Sequence, residues 1–340
     1  MPHDAAQRAT TAVVYHPDYL SHRVPRWHPE RPQRLEAIVE HLKDVGLWEA
    51  LAHVAPEPAP VEAVARVHSP DYVRQVEALC QGGGGLLDWG DTPVGPASYR
   101  VALLAAGGVL RAADAVMAGQ AENAFALVRP PGHHARADRG MGFCIFNNVA
   151  IAARHLQNHH GLGRILIADW DVHHGNGTCE TFYADPSVYF VSVHRSPFYP
   201  GTGAAGERGS GEGEGTIAHV PVPGGTSGEA MVRAFGRALE PAAKACRPDF
   251  VLVSAGFDGH REDPLGGMAM EDEHFAAMAR QVKDVARTYC QGRLVATLEG
   301  GYHLEAQARS VEAVLRVLAA QDATAPSGGP GRERAPGAQG

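Results

Sequence analysis

Short runs of Val, Ile, Leu and Ala without polar interruption alternate along this chain with longer stretches whose apolar residues recur at helical spacing. The runs at 11–15 (TAVVY), 125–128 (FALV), 165–168 (ILIA), 188–193 (VYFVSV), 250–254 (FVLVS) and 294–298 (LVATL) predict strands. Alanine-rich segments near 32–45, 97–118, 147–160, 228–245, 271–290 and 303–319 predict helices between them. Strands that lack polar alternation are buried on both faces, and strands separated by helices pair in parallel. The expected fold is α/β: a single doubly wound, mostly parallel sheet flanked by helices, in one domain over residues 1–320. Segment 321–340 (QDATAPSGGPGRERAPGAQG) has almost no apolar side chain to bury and is expected to be a disordered tail. The Gly-rich stretch 200–215 has neither a G-K-[ST] ending nor a strand feeding it into a helix, so a mobile surface loop is expected there. QGGGG at 81–85 reads as another loop.

Composition narrows the class without naming a function. With 44% hydrophobic and 20% charged residues over 340 positions, the chain can bury a large core. A net charge of −8 argues against a general phosphate-binding surface, so direct nucleic-acid binding is not expected. The start, MPHDAAQRATTAVVYHP, has no basic segment followed by an apolar run, and no stretch approaches the roughly 18 apolar residues of a membrane helix. Cys80, Cys144, Cys179, Cys246 and Cys290 form no C-x-x-C pair, which argues against a disulfide framework and a thiolate zinc site. A reducing, cytoplasmic location is the expectation.

The chemistry gathers just after the predicted strands, where open parallel sheets place their ligand sites. In Asp169-Trp170-Asp171-Val172-His173, alternate residues of an extended backbone share a face, so Asp171 and His173 can ligate one ion. Asp258, in SAGFDG, is the candidate third ligand. Three protein ligands leave a position open for water or substrate, the pattern of a catalytic zinc ion. A lone Asp-x-His more often caps a helix, but that does not account for the other clusters. Arg129-Pro130-Pro131-Gly132 fixes a rigid path that delivers His133 and His134 together, and imidazole moves protons near neutral pH. Gly300 and Gly301 let the backbone approach a site closely, and Tyr302 can aim a hydroxyl at a developing oxyanion. Of the remaining histidines, His3, His16, His22, His41, His53, His155, His159 and His160 carry no functional assignment from sequence.

Taken together, HPERPQRL (28–35), RVHSPDYV (66–73), RPPGHHA (129–135), GFCIFNNVAIAA (142–153), DWDVHHGNGT (169–178), SVHRSPFYPGTG (192–203), SAGFDGHREDPLGG (254–267) and LEGGYHL (298–304) resemble the histone deacetylase family. That family includes the acetylpolyamine amidohydrolases, and HHGNG and DPLGG resemble its class II branch. The resemblance implies an arginase/deacetylase-like fold and one Zn2+ per chain on Asp171, His173 and Asp258. It implies a proton-transfer pair, His133 backed by Asp169 and His134 backed by Asn176, with Tyr302 as transition-state donor. It also implies a channel walled by Phe143 and Tyr199 with Gly142 and Gly301 beside them, and a rim carrying Leu265 and Asp91. A structural K+ would sit on the Asp169 and Asp171 side chains and on backbone oxygens of His173, Ser192 and Val193. The implied substrate is an acetylated lysine side chain or an acetylated polyamine. Polyamine-selective members place Glu where this chain has Leu265, which favours acetyl-lysine, although nearby Glu262 keeps the polyamine alternative open. Two other readings are an arginase-type hydrolase with two manganese ions, disfavoured by Asn176 and by Gly259-His260, and a catalytically silent acyl-lysine reader. Oligomeric state is not legible in the sequence.

Overall fold

The computed structural model describes residues 11–88 and 90–320; the tail 321–340 lies outside them. In chain order the elements are β1 (Thr11–Val14), α1 (Gln33–Asp44), β2 (Ala52–Val54), α2 (Val61–Val64), α3 (Pro70–Gln81), β3 (Gly85–Leu86), β4 (Pro93–Val94) and α4 (Ser98–Met117). There follow β5 (Asn123–Ala126), α5 (Asn148–His160), β6 (Ile165–Asp169), α6 (Asn176–Phe182), β7 (Val188–Arg195) and β8 (Ile217–Val222). The last elements are α7 (Gly228–Cys246), β9 (Phe250–Ala255), α8 (Asp272–Cys290), β10 (Leu294–Leu298) and α9 (Leu304–Ala319).

Among the described residues, eight strands form one sheet in the order β2-β1-β5-β10-β9-β6-β7-β8. Every neighbouring pair is parallel. The doubly wound α/β expectation holds, and its physical basis is visible in β5, β6, β9 and β10, whose residues are all buried. Such strands need cover on both faces. Helices α7, α8, α9 and α1 pack in a row, while α4 and α5 pack on each other against β1, β5, β10 and β9. No helix among the described residues is long and apolar enough to cross a membrane.

Several expectations are corrected. The strand expected at 125–128 runs over 123–126; Leu127 and Val128 stay buried but leave the ladder toward Pro130 and Pro131, which cannot donate to it. β2 and β8 were not anticipated; both are edge strands, only partly buried, so neither shows an uninterrupted apolar run. Pro221 in β8 is tolerated because an edge strand leaves donors unpaired anyway. Gly85, expected in a loop, opens the β3–β4 hairpin. The 200–215 segment is fastened: Thr202 Oγ1 lies 2.8 Å from His174 Nδ1, His194 Nε2 lies 3.0 Å from the Gly203 carbonyl, and Ser210 N–H donates to Tyr183 O at 2.8 Å.

Candidate active site

The four polar clusters follow β5, β10, β9 and β6, which are adjacent in the sheet, so they converge over its centre. β6 stops at Asp169, and Asp171 and His173 project from a bent segment beyond it rather than from extended backbone. The alternation nevertheless survives: Trp170 and Val172 are buried in the core while Asp171 and His173 turn toward Asp258. His173 Nδ1 lies 3.1 Å from Asp171 Oδ1 and 3.0 Å from Asp258 Oδ2.

Backbone donors aim both carboxylates. Gly300 N–H donates to Asp171 Oδ2 at 2.9 Å, and Val172 N–H donates to Asp258 Oδ1 at 2.9 Å. Gly256 and Gly300 allow this closeness, because a Cβ would stand 2.1 Å from Asp171 Oδ2 at the first and 2.3 Å from Asp258 Oδ2 at the second. Burial, reinforced by the charge of Asp171, lifts the Asp258 carboxyl to about 7. Burial also opposes charge on His173, yet its bonds to Asp171 and Asp258 raise it to about 10. Two buried carboxylates thus share a proton-bearing ring at a point where a cation is called for. The oxygen, nitrogen and oxygen donors lie within 4.8 Å of one another and match the ligand chemistry of Zn2+, with a fourth position free.

The His133 and His134 rings lie with centroids 4.0 Å apart, tilted by 42°, and face different partners. His133 Nδ1 lies 3.0 Å from Asp169 Oδ2, whereas His134 Nδ1 lies 2.8 Å from the amide oxygen of Asn176. Burial opposes charge on His133, but the carboxylates of Asp171, Asp169 and Glu299 outweigh it and raise the ring to about 10. Burial and the neighbouring charges of His133 and His173 hold His134 well below the usual histidine range. The surroundings thus push the two rings in opposite directions, His133 toward its protonated form and His134 toward its neutral one.

The entrance assembles from other loops. Phe143 and Tyr302 meet edge to face at 5.7 Å, and Tyr199 stands edge to face with His134 at 5.2 Å. Phe143 itself takes φ 70°, a left-handed conformation rare for a bulky side chain. Two side-chain acceptors hold that turn: Gly142 N–H donates to Asp91 Oδ1 and Phe143 N–H to Thr92 Oγ1, each at 3.1 Å. Asp91 also lines a cavity of about 370 Å³ with Asp88, Gly90, Arg139, Met141 and Tyr199. Leu265 is partly exposed, and its N–H donates to Asp263 Oδ1, while Asp263 Oδ2 accepts from Tyr302 N–H at 2.7 Å. Ser192 pairs in register with Asp169 across β6 and β7, and Val193 follows it, fully buried.

Residues that the sequence reading passed over hold these pieces in place. Glu299, fully buried, accepts from Gly132 N–H at 2.7 Å, His133 N–H at 3.2 Å and Ser254 Oγ at 3.1 Å, tying the histidine loop to β10. Arg34 donates from Nε to Gly301 O at 2.6 Å and from Nη2 to Glu299 O at 2.5 Å. Its guanidinium lies 5.1 Å from the Tyr302 ring centroid. Glu30 in turn receives Arg34 at 3.0 Å and Arg129 at 2.7 Å, all three buried. A signal was present for Glu299, which ends an apolar strand, and for Arg129, which directly follows FALV, whereas Arg34 stands in the polar stretch ERPQRLE and gave none.

Comparison with known proteins gives a consistent picture. The Histone deacetylase domain model matches residues 28–318. A probable deacetylase of Archaeoglobus fulgidus is 44% identical over 87% of this chain and 82% of its own length. The histone deacetylase-like amidohydrolase of Pseudomonas aeruginosa is 40% identical over 81% of this chain and 72% of its own. Polyamine deacetylase HDAC10 of Homo sapiens is 40% identical over 94% of this chain, which spans 49% of that protein. The solved HDA15 HD domain superposes with a TM-score of 0.86 at 39% identity, over 91% of this chain and 89% of that one. With the domain model matching from the HPERPQRL segment to the last helix, the chain belongs to the histone deacetylase family.

Proposed function

We propose that the chain is a zinc-dependent amidohydrolase that removes an acetyl group from an amine on a long aliphatic stem, with acetyl-lysine in proteins as its substrate. The observation that carries this reading is the meeting of the Asp171–His173–Asp258 donor set with two histidines, one backed by the Asp169 carboxylate and the other by the Asn176 amide oxygen. Asp171, His173 and Asp258 would hold one Zn2+, which supplies a Lewis acid that polarises the amide carbonyl and acidifies water. His134, neutral against Asn176, takes the proton of the attacking water as its oxygen bonds to the acetyl carbon. The carbonyl oxygen becomes an oxyanion, and Tyr302 donates to it; burial and the charge of Asp258 keep that hydroxyl protonated. The C–N bond then breaks, the amine nitrogen takes a proton from an imidazolium, and acetate departs. Cationic His133, held by Asp169, contributes positive charge beside the reacting carbon. Phe143 and Tyr199 pack on the methylenes of the stem and exclude water.

Replacing Tyr302 by Phe is expected to leave zinc content and folding intact while lowering kcat about 100- to 1,000-fold. An unchanged kcat on an acetyl-lysine peptide would remove Tyr302 from the mechanism. Leu265 at the rim, without an acid in its place, supports acetyl-lysine. The second reading, acetylpolyamine, is favoured by the likeness to a protein named polyamine deacetylase and by Asp88 and Asp91 lining the entrance cavity. A turnover assay of an acetyl-lysine peptide against acetylputrescine and acetylspermidine, with Asp258→Ala as blank, separates the two. The same proposal includes a structural K+ on Asp169, Asp171, His173, Ser192 and Val193, supported by the burial of Asp169 opposite Ser192. Its thermal midpoint is then higher in KCl than in choline chloride of equal ionic strength; equal midpoints would count against the ion.

A further inference from the structure

We propose a second transition-metal site, remote from the active centre, where the end of α5 packs on α4. Asp114 of α4 and His159 and His160 of α5 each offer a ligand atom within 4.8 Å of the other two. His160 Nε2 lies 2.7 Å from Asp114 Oδ1, and His155, on the preceding turn of α5, places its own Nε2 at 2.7 Å from the same oxygen. The rings of His155 and His159 stack at 5.0 Å, and those of His159 and His160 meet edge to face at 4.9 Å. Three histidines of one helix thus converge on a single carboxylate of its neighbour.

The chemistry of the set selects the ligand. Two imidazoles and one carboxylate suit Zn2+, and also Ni2+ or Cu2+, whereas Ca2+ and Mg2+ require oxygen donors. Around a tetrahedral Zn2+, with bonds of about 2.0–2.2 Å, donors stand roughly 3.3 Å apart, so the three side chains close by small rotations. The ion takes the place of the proton that His160 now shares with Asp114. His155 stays outside the ligand set and orients the carboxylate through its N–H, the supporting bond that metal-bound carboxylates usually carry.

Two further features point the same way. Asp114 lies in the last turn of α4, and His159 and His160 lie in the last turn of α5, so two helix C-termini turn their negative ends toward the site. The site also borders a cavity of about 430 Å³ lined by Glu57, Glu62, Arg66, Asp114, His155 and His159 among others, which gives the ion an entry path and room for a water ligand. Asp114 and His160 side chains are 27% and 19% exposed, enough for access and too little for free rotation.

The site is independent of the catalytic one. α5 begins at Asn148, which bonds Pro130 O beside the histidine loop. Its far end lies about 18 Å away at the rise of an α-helix. An ion there would clamp α4 to α5 without touching the substrate, and the proposal stands whatever the active centre hydrolyses.

The test uses the untagged full chain, stripped with a chelator and titrated with Zn2+ and separately with Ni2+. Wild type is expected to bind one equivalent more than His159→Gln. His159 is exposed and its loss leaves both bonds to Asp114 in place, so that variant keeps the wild-type fold and kcat. Asp258→Ala, which removes the catalytic ligand set, still binds Zn2+ and gains thermal midpoint from it, while Asp258→Ala/His159→Gln does neither. His155→Ala weakens the remote ion about tenfold. Equal stoichiometry and affinity in wild type and His159→Gln would overturn the proposal, as would an extra equivalent that survives in the double variant.

Discussion

His133 and His134 are identical side chains on consecutive residues, yet burial holds the second low while the carboxylates of Asp171 and Asp169 outweigh burial at the first. The group behind each ring differs to match. The carboxylate of Asp169 holds a proton on the first; the amide oxygen of Asn176 orients the second without adding charge. Asn176→Asp gives His134 an anionic partner and raises its pKa. Because the base must be unprotonated to act, the acid limb of kcat/KM moves to higher pH, and the rate near pH 6 falls more than the rate near pH 8. A pH–rate profile of the variant checks this; an unmoved acid limb would show that another group takes the proton.

Between elements, the buried trio Glu30–Arg34–Arg129 joins the segment before α1 to the ends of β5 and β10. Glu30 is held at about 2: burial pushes it up, but the charges of Arg129 and Arg34 more than offset this. Glu30→Gln leaves two guanidinium groups without their anion, and breaking a buried pair destabilises by about 3–5 kcal/mol, measurable by urea unfolding. This joinery shows where sequence legibility ends. The central strands and the long helices were readable because both faces of ILIA or FVLVS must be covered. The candidate site clusters were readable as one group because they follow those strands. Helix α3 was passed over although Ser69 caps it, Pro70 opens it and Tyr72, Val73, Val76 and Cys80 recur at helical spacing, so its signal was present and unused. Short α6 begins with Asn176-Gly177, a turn-like pair. Long-range supports such as Glu299 with His133, 166 residues apart, leave no local spacing to read. The cluster at Asp114 and His160 depends on how two helices dock, which periodicity does not specify.

At the scale of the whole molecule, two buried histidines each draw stability away in mild acid. Burial holds His22 at about 3 and His68 at about 4, both from an ordinary 6.5. His68 shows why: its Nδ1 bonds the Arg136 carbonyl and its Nε2 accepts from Asn147 N–H, so a second proton would break that bond. Below pH 6.5 the unfolded chain takes up protons that the folded one refuses. The contribution of these two histidines is therefore full above 6.5 and declines toward their folded values, by up to about 1.36 kcal/mol per pH unit for each group. Urea unfolding at pH 7 and pH 5 measures the slope, and His68→Gln is expected to flatten it. Equal slopes in variant and wild type would exclude His68 as a source.

The position of β10 has a consequence during synthesis. This strand comes last in sequence, yet it lies between β5 and β9 at the middle of the sheet. Until the ribosome has released it, the nascent chain holds two half-sheets, each with a bare inner edge open to wrong partners. Glu299 and Tyr302 arrive with the strand that closes the gap. On the proposed function, the site is therefore completed only once the gap in the sheet is closed, and a chain stalled before Leu294 lacks both residues.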